Sequence, residues 1–146
     1  MRLLKTLALA ALLAAPVPAM AADVTVEMLN KDPDTSERNV YAPALVQIAP
    51  GDTVTWVATD KGHNVEFVRG AYPEGVEKFR SKLNAEVSYT FTVPGVYVYK
   101  CTPHYGLGMV GVVIVGDVPD NLSEIMAKKY PGKADARIDA LLEPLT

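Results

Sequence analysis

The sequence predicts an all-β sandwich followed by two α-helices, and three observations support this fold class. Short segments that are apolar, or that alternate apolar and polar side chains, recur between residues 24 and 115. Pro-Gly pairs at 50–51 and 94–95 mark turns between such segments. After residue 120 the apolar spacing changes to three and four, which is typical of amphipathic helices. Many short strands separated by turns are typical of a sandwich.

Seven segments have the pattern of strands, namely 24–29, 44–48, 53–57, 63–68, 86–93, 96–100 and 110–115. The polar stretch 31–38 is interpreted as a loop. Residues 71–83, which a proline and a glycine interrupt, are interpreted as a long connection that could contain a helical turn. The Pro-Gly pair at 94–95 predicts a tight turn, after which 96–100 runs back antiparallel to the strand before it.

Two helices are predicted after the last strand. Asn121 is a candidate N-cap, and Glu124 three positions later completes a capping-box pattern. Pro131 and Gly132 end the first helix. The apolar residues at helical spacing are Leu122, Ile125, Met126 and Tyr130 in the first helix, and Ile138, Leu141, Leu142 and Leu145 in the second.

Residues 1–21 have the organisation of a secretory signal peptide. Arg2 and Lys5 precede an apolar run at 7–15, and the small residues at 19 and 21 form a cleavage site. A membrane anchor is the alternative, but the apolar run is too short to span a bilayer. We therefore expect cleavage after Ala21 and export, which leaves residues 22–146 as a single compact domain.

Charge and cysteine content narrow the function further. The formal net charge is −3, and removal of the two basic residues of the signal peptide makes it −5, so the protein has no electrostatic attraction to nucleic acid. Cys101 is the only cysteine and cannot form an internal disulfide, although cysteines of exported proteins usually pair. Such a cysteine is masked, bonded to another molecule or used chemically.

The segment 101–109 contains three candidate metal ligands, Cys101, His104 and Met109, between two predicted strands. A fourth ligand must come from elsewhere, and His63 is the only other histidine. Two imidazoles and a thiolate with a weak axial thioether are the ligands of type 1, or blue, copper sites. Zinc sites seldom use methionine, and iron–sulfur clusters need several cysteines. The sequence therefore predicts one copper ion and one-electron transfer.

Two more residues are expected to influence this site. Asn64, next to His63, can hydrogen-bond across to the Cys101 loop and tie the two ligand segments together. The alternative for Asn64 is an ordinary turn asparagine. Pro103 stiffens the loop and removes one backbone N–H near the sulfur, which should raise the reduction potential.

The loop resembles that of the cupredoxins, and the chain after the signal peptide resembles the pseudoazurin family among them. The segments Lys-Gly-His-Asn-Val-Glu at 61–66 and Lys-Cys-Thr-Pro-His-Tyr at 100–105 carry the resemblance, together with 28–31, 72–79 and the helical tail. The Cys-x2-His-x4-Met spacing alone would also fit plastocyanins. The helical tail favours pseudoazurins over plastocyanins and amicyanins. The resemblance implies a Greek-key sandwich of about eight strands with type 1 copper.

The same resemblance implies a monomeric periplasmic carrier between a respiratory-chain donor, such as a cytochrome, and a nitrite reductase or similar enzyme. In this family the edge of the loop histidine, here His104, reaches the surface through an apolar patch. The patch residues would be Pro43, Pro103, Gly106, Leu107 and Gly108. The lysines expected to ring the patch and steer an acidic partner are Lys31, Lys61, Lys78, Lys82 and Lys100. The alternative is that these lysines serve only solubility.

Two other functions stay open at this point. Cys101 and His104 could be a thiol nucleophile and its base, although this leaves His63 and Met109 without a role. A copper carrier or storage protein is the other alternative. Such proteins tend to use Met-rich or multi-cysteine sites, whereas only three methionines follow residue 21.

Overall fold

The computed structural model describes residues 21–117 and 120–146, which form two four-stranded β-sheets and two α-helices. The elements are β1 (Asp23–Lys31), β2 (Arg38–Ala42), β3 (Leu45–Ile48), β4 (Thr53–Val57), β5 (Glu66–Phe67), β6 (Val87–Thr90), β7 (Gly95–Lys100), β8 (Val110–Val115), α1 (Leu122–Ala127) and α2 (Lys133–Leu142). The predicted sandwich of about eight strands with two C-terminal helices is confirmed. The predicted signal peptide lies outside the described residues except for Ala21.

The chain passes repeatedly from one sheet to the other. The strand orders are β2-β1-β4-β6 and β3-β8-β7-β5. The pairs β1–β4 and β3–β8 are parallel, and parallel neighbours cannot be joined by a tight hairpin. β6 pairs with β4, whereas β7 pairs with β5 and β8. The turn at 94–95 therefore carries the chain between sheets, and the expected antiparallel pair across it does not form.

The second sheet is covered on both faces, which explains why β8 is apolar throughout. Val113 and Val115 pack between the sheets, whereas Val112 and Ile114 pack beneath the helices. A strand buried on both faces loses the apolar–polar alternation. The largest side chains between the sheets are Trp56, Tyr41, Tyr97, Tyr99 and Phe91, and the helices contribute Ile125, Ala134, Ile138 and Leu142 to the second cluster.

Three local expectations are corrected. β2 was not predicted, since it follows a polar stretch, and within 63–68 only β5 is a strand. Asn121 does not cap α1 with its side chain. Its amide instead accepts from the N–H of Val96 at 2.8 Å and donates to the carbonyl of Val96 at 2.9 Å. An amide side chain satisfies both backbone groups of one residue in this way, so Asn121 attaches the start of α1 to β7.

Within the described residues, no helix combines the length and apolar character needed to cross a bilayer.

Candidate metal centre

The residues predicted to bind metal come together from two parts of the chain. His63 lies in the connection between β4 and β5, and Cys101 directly follows β7. Asn84 holds the His63 segment: its side-chain oxygen accepts from the N–H of Gly62 at 2.6 Å, and its own N–H donates to the carbonyl of His63 at 2.8 Å. His104 follows Cys101 in a loop that ends where β8 begins.

Three donor atoms converge on one point. Sγ of Cys101 lies 3.7 Å from Nδ1 of His63 and 3.6 Å from Nδ1 of His104, and the two Nδ1 atoms are 3.2 Å apart. A triangle with these sides has a circumradius of about 2.0 Å, which is the length of a metal–imidazole bond and slightly shorter than a metal–thiolate bond. The donor set and its spacing therefore fit a single ion.

Burial favours the uncharged forms of His63 and Cys101. His63 and Cys101 are fully buried, whereas His104 is half-buried. Burial lowers the pKa of His63, and the nearby His104 lowers it further. Burial also raises the pKa of the Cys101 thiol, which the backbone N–H groups of Asn64 and His104 partly offset. His63 thus stays neutral, and metal binding must displace the proton of the thiol.

The side chain of Asn30 orients His63. Its Oδ1 lies 2.9 Å from Nε2 of His63, and since this oxygen only accepts, Nε2 donates and Nδ1 keeps its lone pair toward the site. Asp60 fixes Asn30 in turn, because its carboxylate accepts from the N–H of Asn30 at 2.7 Å. Asn30 was not predicted to have a role in the site, although it lies in the segment 28–31, which carried part of the family resemblance.

Met109 lies in the buried cluster that contains Cys101 and is itself fully buried. Its carbonyl accepts from the N–H of Cys101 at 3.0 Å, and its N–H donates to the carbonyl of His104 at 3.1 Å. These two bonds fold the loop back on itself, so that its first and last predicted ligands are neighbours. A short 3₁₀ turn at Tyr105–Leu107 fills the tip of the loop.

Asn64 makes the hydrogen bonds to the cysteine loop that its position suggested. Its Oδ1 accepts from the N–H of Thr102 at 2.8 Å, and its Nδ2 donates to Oγ1 of Thr102 at 3.0 Å. The hydroxyl of Thr102 then donates to Glu66 at 2.7 Å. This carboxylate also lies 3.7 Å from the charged groups of Arg80 and Lys100. The two ligand segments are therefore joined by side chains as well as by the sheet.

The residues expected to surround His104 differ in exposure. Leu107 is 54% exposed, which is high for a large apolar side chain. Pro43, Pro103 and Gly106 are exposed as well, whereas Gly108 is buried. The exposed members of the expected lysine ring are Lys31, Lys61, Lys78 and Lys82. Lys100 differs, since it is half-buried and lies 4.7 Å above the ring of Tyr105.

The sequence and the fold both match known copper proteins. The profile of the copper-binding proteins of the plastocyanin/azurin family matches residues 24–116. The pseudoazurin of Paracoccus pantotrophus is 51% identical over 92% of this chain and 92% of its own. This chain belongs to the pseudoazurins. Copper is its cofactor, and the family consists of blue-copper electron carriers rather than enzymes.

Two further relatives agree in sequence and in structure. The pseudoazurin of Methylorubrum extorquens AM1 is 41% identical over 93% of this chain and 89% of its own. The crystal structure of native pseudoazurin from Hyphomicrobium denitrificans has a TM-score of 0.81 and 43% identity, covering 86% of this chain and 99% of that one. The similarity therefore includes the helical tail as well as the sandwich, as the family resemblance implied.

Proposed function

We propose that His63, Cys101, His104 and Met109 would together hold one type 1 copper ion. The convergence of two imidazole nitrogens and one sulfur, all within 4.8 Å of one another, carries this proposal. Copper, when bound, supplies the one-electron redox couple. The chain supplies donors held by Asn30, Asn64 and the folded loop, so little movement accompanies a change of oxidation state.

Copper titration followed by optical and EPR spectroscopy tests this ligand set. Residues 22–146, purified without metal, should bind one equivalent of Cu(II) and become intensely blue. The colour should be lost and regained on chemical reduction and reoxidation. A protein that stays colourless with bound Cu(II) would exclude the type 1 site. Rapid loss of copper to a mild chelator would favour the carrier or storage alternative.

The thiol-enzyme alternative is disfavoured by the same geometry. A catalytic cysteine needs access to its substrate and a thiolate at neutral pH. Cys101 is fully buried, and burial raises its pKa. Alkylation distinguishes the two functions, because a nucleophile would react quickly with iodoacetamide whereas Cys101 of the copper-loaded protein should be protected.

We also propose that residues 1–21 direct export and are removed, so that a monomeric domain of residues 22–146 works in the periplasm. The organisation of the N-terminal segment supports this location. The mass and N-terminal sequence of the protein from a periplasmic extract test it. A chain that begins at Ala22 is expected, and an uncleaved chain retained with membranes would contradict the proposal.

The physiological acceptor is proposed to be a nitrite reductase or a similar periplasmic enzyme, and the donor a respiratory-chain protein such as a cytochrome. The apolar patch of Pro43, Pro103, Gly106 and Leu107 beside His104 would seat the partner. The lysines would orient an acidic surface on it. Lys31 and Lys61 are exposed and able to act in this way. Lys100 is already paired with Glu66, so we expect it to contribute less.

Electron-transfer kinetics test this docking surface. At low salt, the double variant Lys31→Gln/Lys61→Gln should reduce a nitrite reductase about tenfold more slowly, since steering by charge changes association rates by at least this factor. The difference should vanish at high salt. Lys129→Gln removes a charge from a lysine outside the ring and should leave the rate unchanged. Equal rates for all three proteins would mean that the lysines serve only solubility.

A further inference from the structure

Met109 lies at the tightest point of the ligand loop. The N–H of Val110 donates to the carbonyl of Gly108 at 2.9 Å, which makes Met109 the central residue of a γ-turn. The N–H and the carbonyl of Met109 are also bonded, since the N–H donates to the carbonyl of His104 and the carbonyl accepts from the N–H of Cys101. These three hydrogen bonds all join residues of the ligand segment or the strand that follows it.

One further hydrogen bond reaches this turn from the C-terminal helix. Nη1 of Arg137, in α2, donates to the carbonyl of Gly108 at 2.7 Å. Nη2 of the same guanidinium lies 2.6 Å from the carboxylate of Glu37, in the connection between β1 and β2. The side chain of Arg137 is 21% exposed, and its bond to Gly108 is partly buried, whereas its bond to Glu37 is exposed to solvent. Bonds from a charged donor are shorter and stronger than those between neutral groups.

The backbone at the start of α2 also touches the loop. A Cβ added at Gly132 would overlap the carbonyl oxygen of Gly106. A Cβ added at Gly108, where φ is +92°, would lie 3.1 Å from Cβ of Lys133. The loop is therefore in contact with the helix on the same side from which Arg137 holds Gly108. Because the backbones of α2 and the loop approach each other this closely, a shift of α2 would also move the loop.

We propose that Arg137 is a positioning residue that fixes the backbone at Met109 and so sets the distance of the axial sulfur from the copper. This inference rests on the proposed ligand role of Met109. The axial bond of a blue-copper site is long and weak, and the axial ligand tunes the reduction potential. The position of the sulfur then depends mainly on the backbone that carries it, and the Gly108 carbonyl immediately precedes that residue.

Amide hydrogen exchange of the copper-free protein tests the positioning without relying on bound metal. In Arg137→Met, which removes both donors, the amides of Met109 and Val110 should exchange about tenfold faster than in the parent protein, as loss of a charge-assisted hydrogen bond implies. Amides of β1 and β4 should keep their rates. Arg137→Lys retains the charge but only a single donor group, and its exchange should be intermediate. Lys129→Met, which removes an exposed ion pair with Asp135, is the matched control and should leave the loop unchanged.

Optical and EPR spectra of the copper-loaded variants provide the second measurement. Arg137→Met should bind copper with a changed balance of bands and a shifted reduction potential, whereas Lys129→Met should match the parent. Exchange that is unchanged at Met109 and Val110, or that rises equally throughout the protein, would overturn the positioning role. If Arg137→Met does not fold, the Arg137→Lys variant tests the proposal. Exchange at the parent rate in Arg137→Lys would also overturn the positioning role of Arg137. A parent protein that never becomes blue would refute the copper site instead, independently of these exchange rates.

Discussion

The two histidines of the site are held in different ways. His63 is fully buried, and its Nε2 donates to Asn30, which Asp60 holds in turn. His104 is half-buried, and within 21–117 and 120–146 no side chain or backbone group hydrogen-bonds its Nε2. The first imidazole is therefore fixed by the sandwich, whereas the second depends on its loop.

This difference divides the site into a fixed half and an adjustable half. The fixed half defines one donor direction whether or not metal is present. The adjustable half carries the other three predicted ligands, of which only His104 is partly exposed. Its geometry depends on hydrogen bonds from Asn64, from the loop itself and from α2. Among the residues that hold the ligands, we expect changes in the fixed half to alter mainly the copper affinity, and changes in the adjustable half to alter mainly the reduction potential and the rate of electron exchange.

The largest effect is expected from Cys101→Ser. A hydroxyl does not supply the soft thiolate that gives type 1 copper its character, so the intense blue absorption should disappear completely. The two imidazoles should still bind Cu(II) as a pale, weaker complex. Optical and EPR spectra measure this, and circular dichroism shows whether the variant is folded. Persistence of the blue band would mean that Cys101 is not a ligand.

Asn30→Leu should weaken copper binding about 10- to 100-fold, as expected when a hydrogen-bond partner of a ligating histidine is lost. Without Asn30 the ring of His63 can rotate or take the other tautomer. A competition titration with a chelator of known affinity measures the change. Asn30→Asp keeps an acceptor oxygen at the same place and should bind more tightly than Asn30→Leu. Equal affinities for both variants would show that the sandwich does not need this hydrogen bond to fix His63.

Thr102→Val should lower the free energy of unfolding by about 1 kcal/mol, the contribution of a typical hydrogen bond. The hydroxyl of Thr102 lies between Asn64 and Glu66, and valine would break both contacts while keeping the shape of the side chain. Denaturant unfolding of the copper-free protein measures this effect. Thr102→Ser retains the hydroxyl and is the control. A valine variant as stable as the parent protein would show that these two contacts do not stabilise the fold.

Leu107→Ala should have the smallest effect on the folded protein. The side chain is mostly exposed, so unfolding free energy should change by less than about 0.5 kcal/mol. The copper spectrum should also stay the same, because Leu107 lies at the tip of the adjustable half. Only the rate of electron transfer to a partner should fall. A changed spectrum would show that the tip of the loop influences the metal directly.

The sequence grouped the candidate ligands better than it identified the residues that hold them. Cys101, His104 and Met109 lie within nine residues, and Asn64 adjoins His63, so spacing was enough to group them. Asn30 and Arg137 lie 33 and 29 residues along the chain from the residues they hold. An asparagine or arginine at such a distance has no periodic signal, and only the pairing of strands and the packing of α2 bring it to the site.

Prediction of the strands and helices from the sequence has a similar limit. Alternating and apolar segments identified most strands, because those patterns come directly from burial on one face or both. β2 follows a polar loop and contains Asn39 at a positive φ, so its composition gave little indication of a strand. The prediction that Asn121 caps α1 was wrong for a related reason. A capping pattern in the sequence does not reveal that Val96 of another element offers the same amide two better-placed backbone groups.

X-ray absorption spectroscopy at the copper edge, on the oxidised and the reduced protein, tests the central claim most directly. We predict two nitrogens at about 2.0 Å and one short sulfur at a typical metal–thiolate distance, with little change between the two states. A first shell without a short sulfur, or one that gains or loses ligands on reduction, would contradict the account.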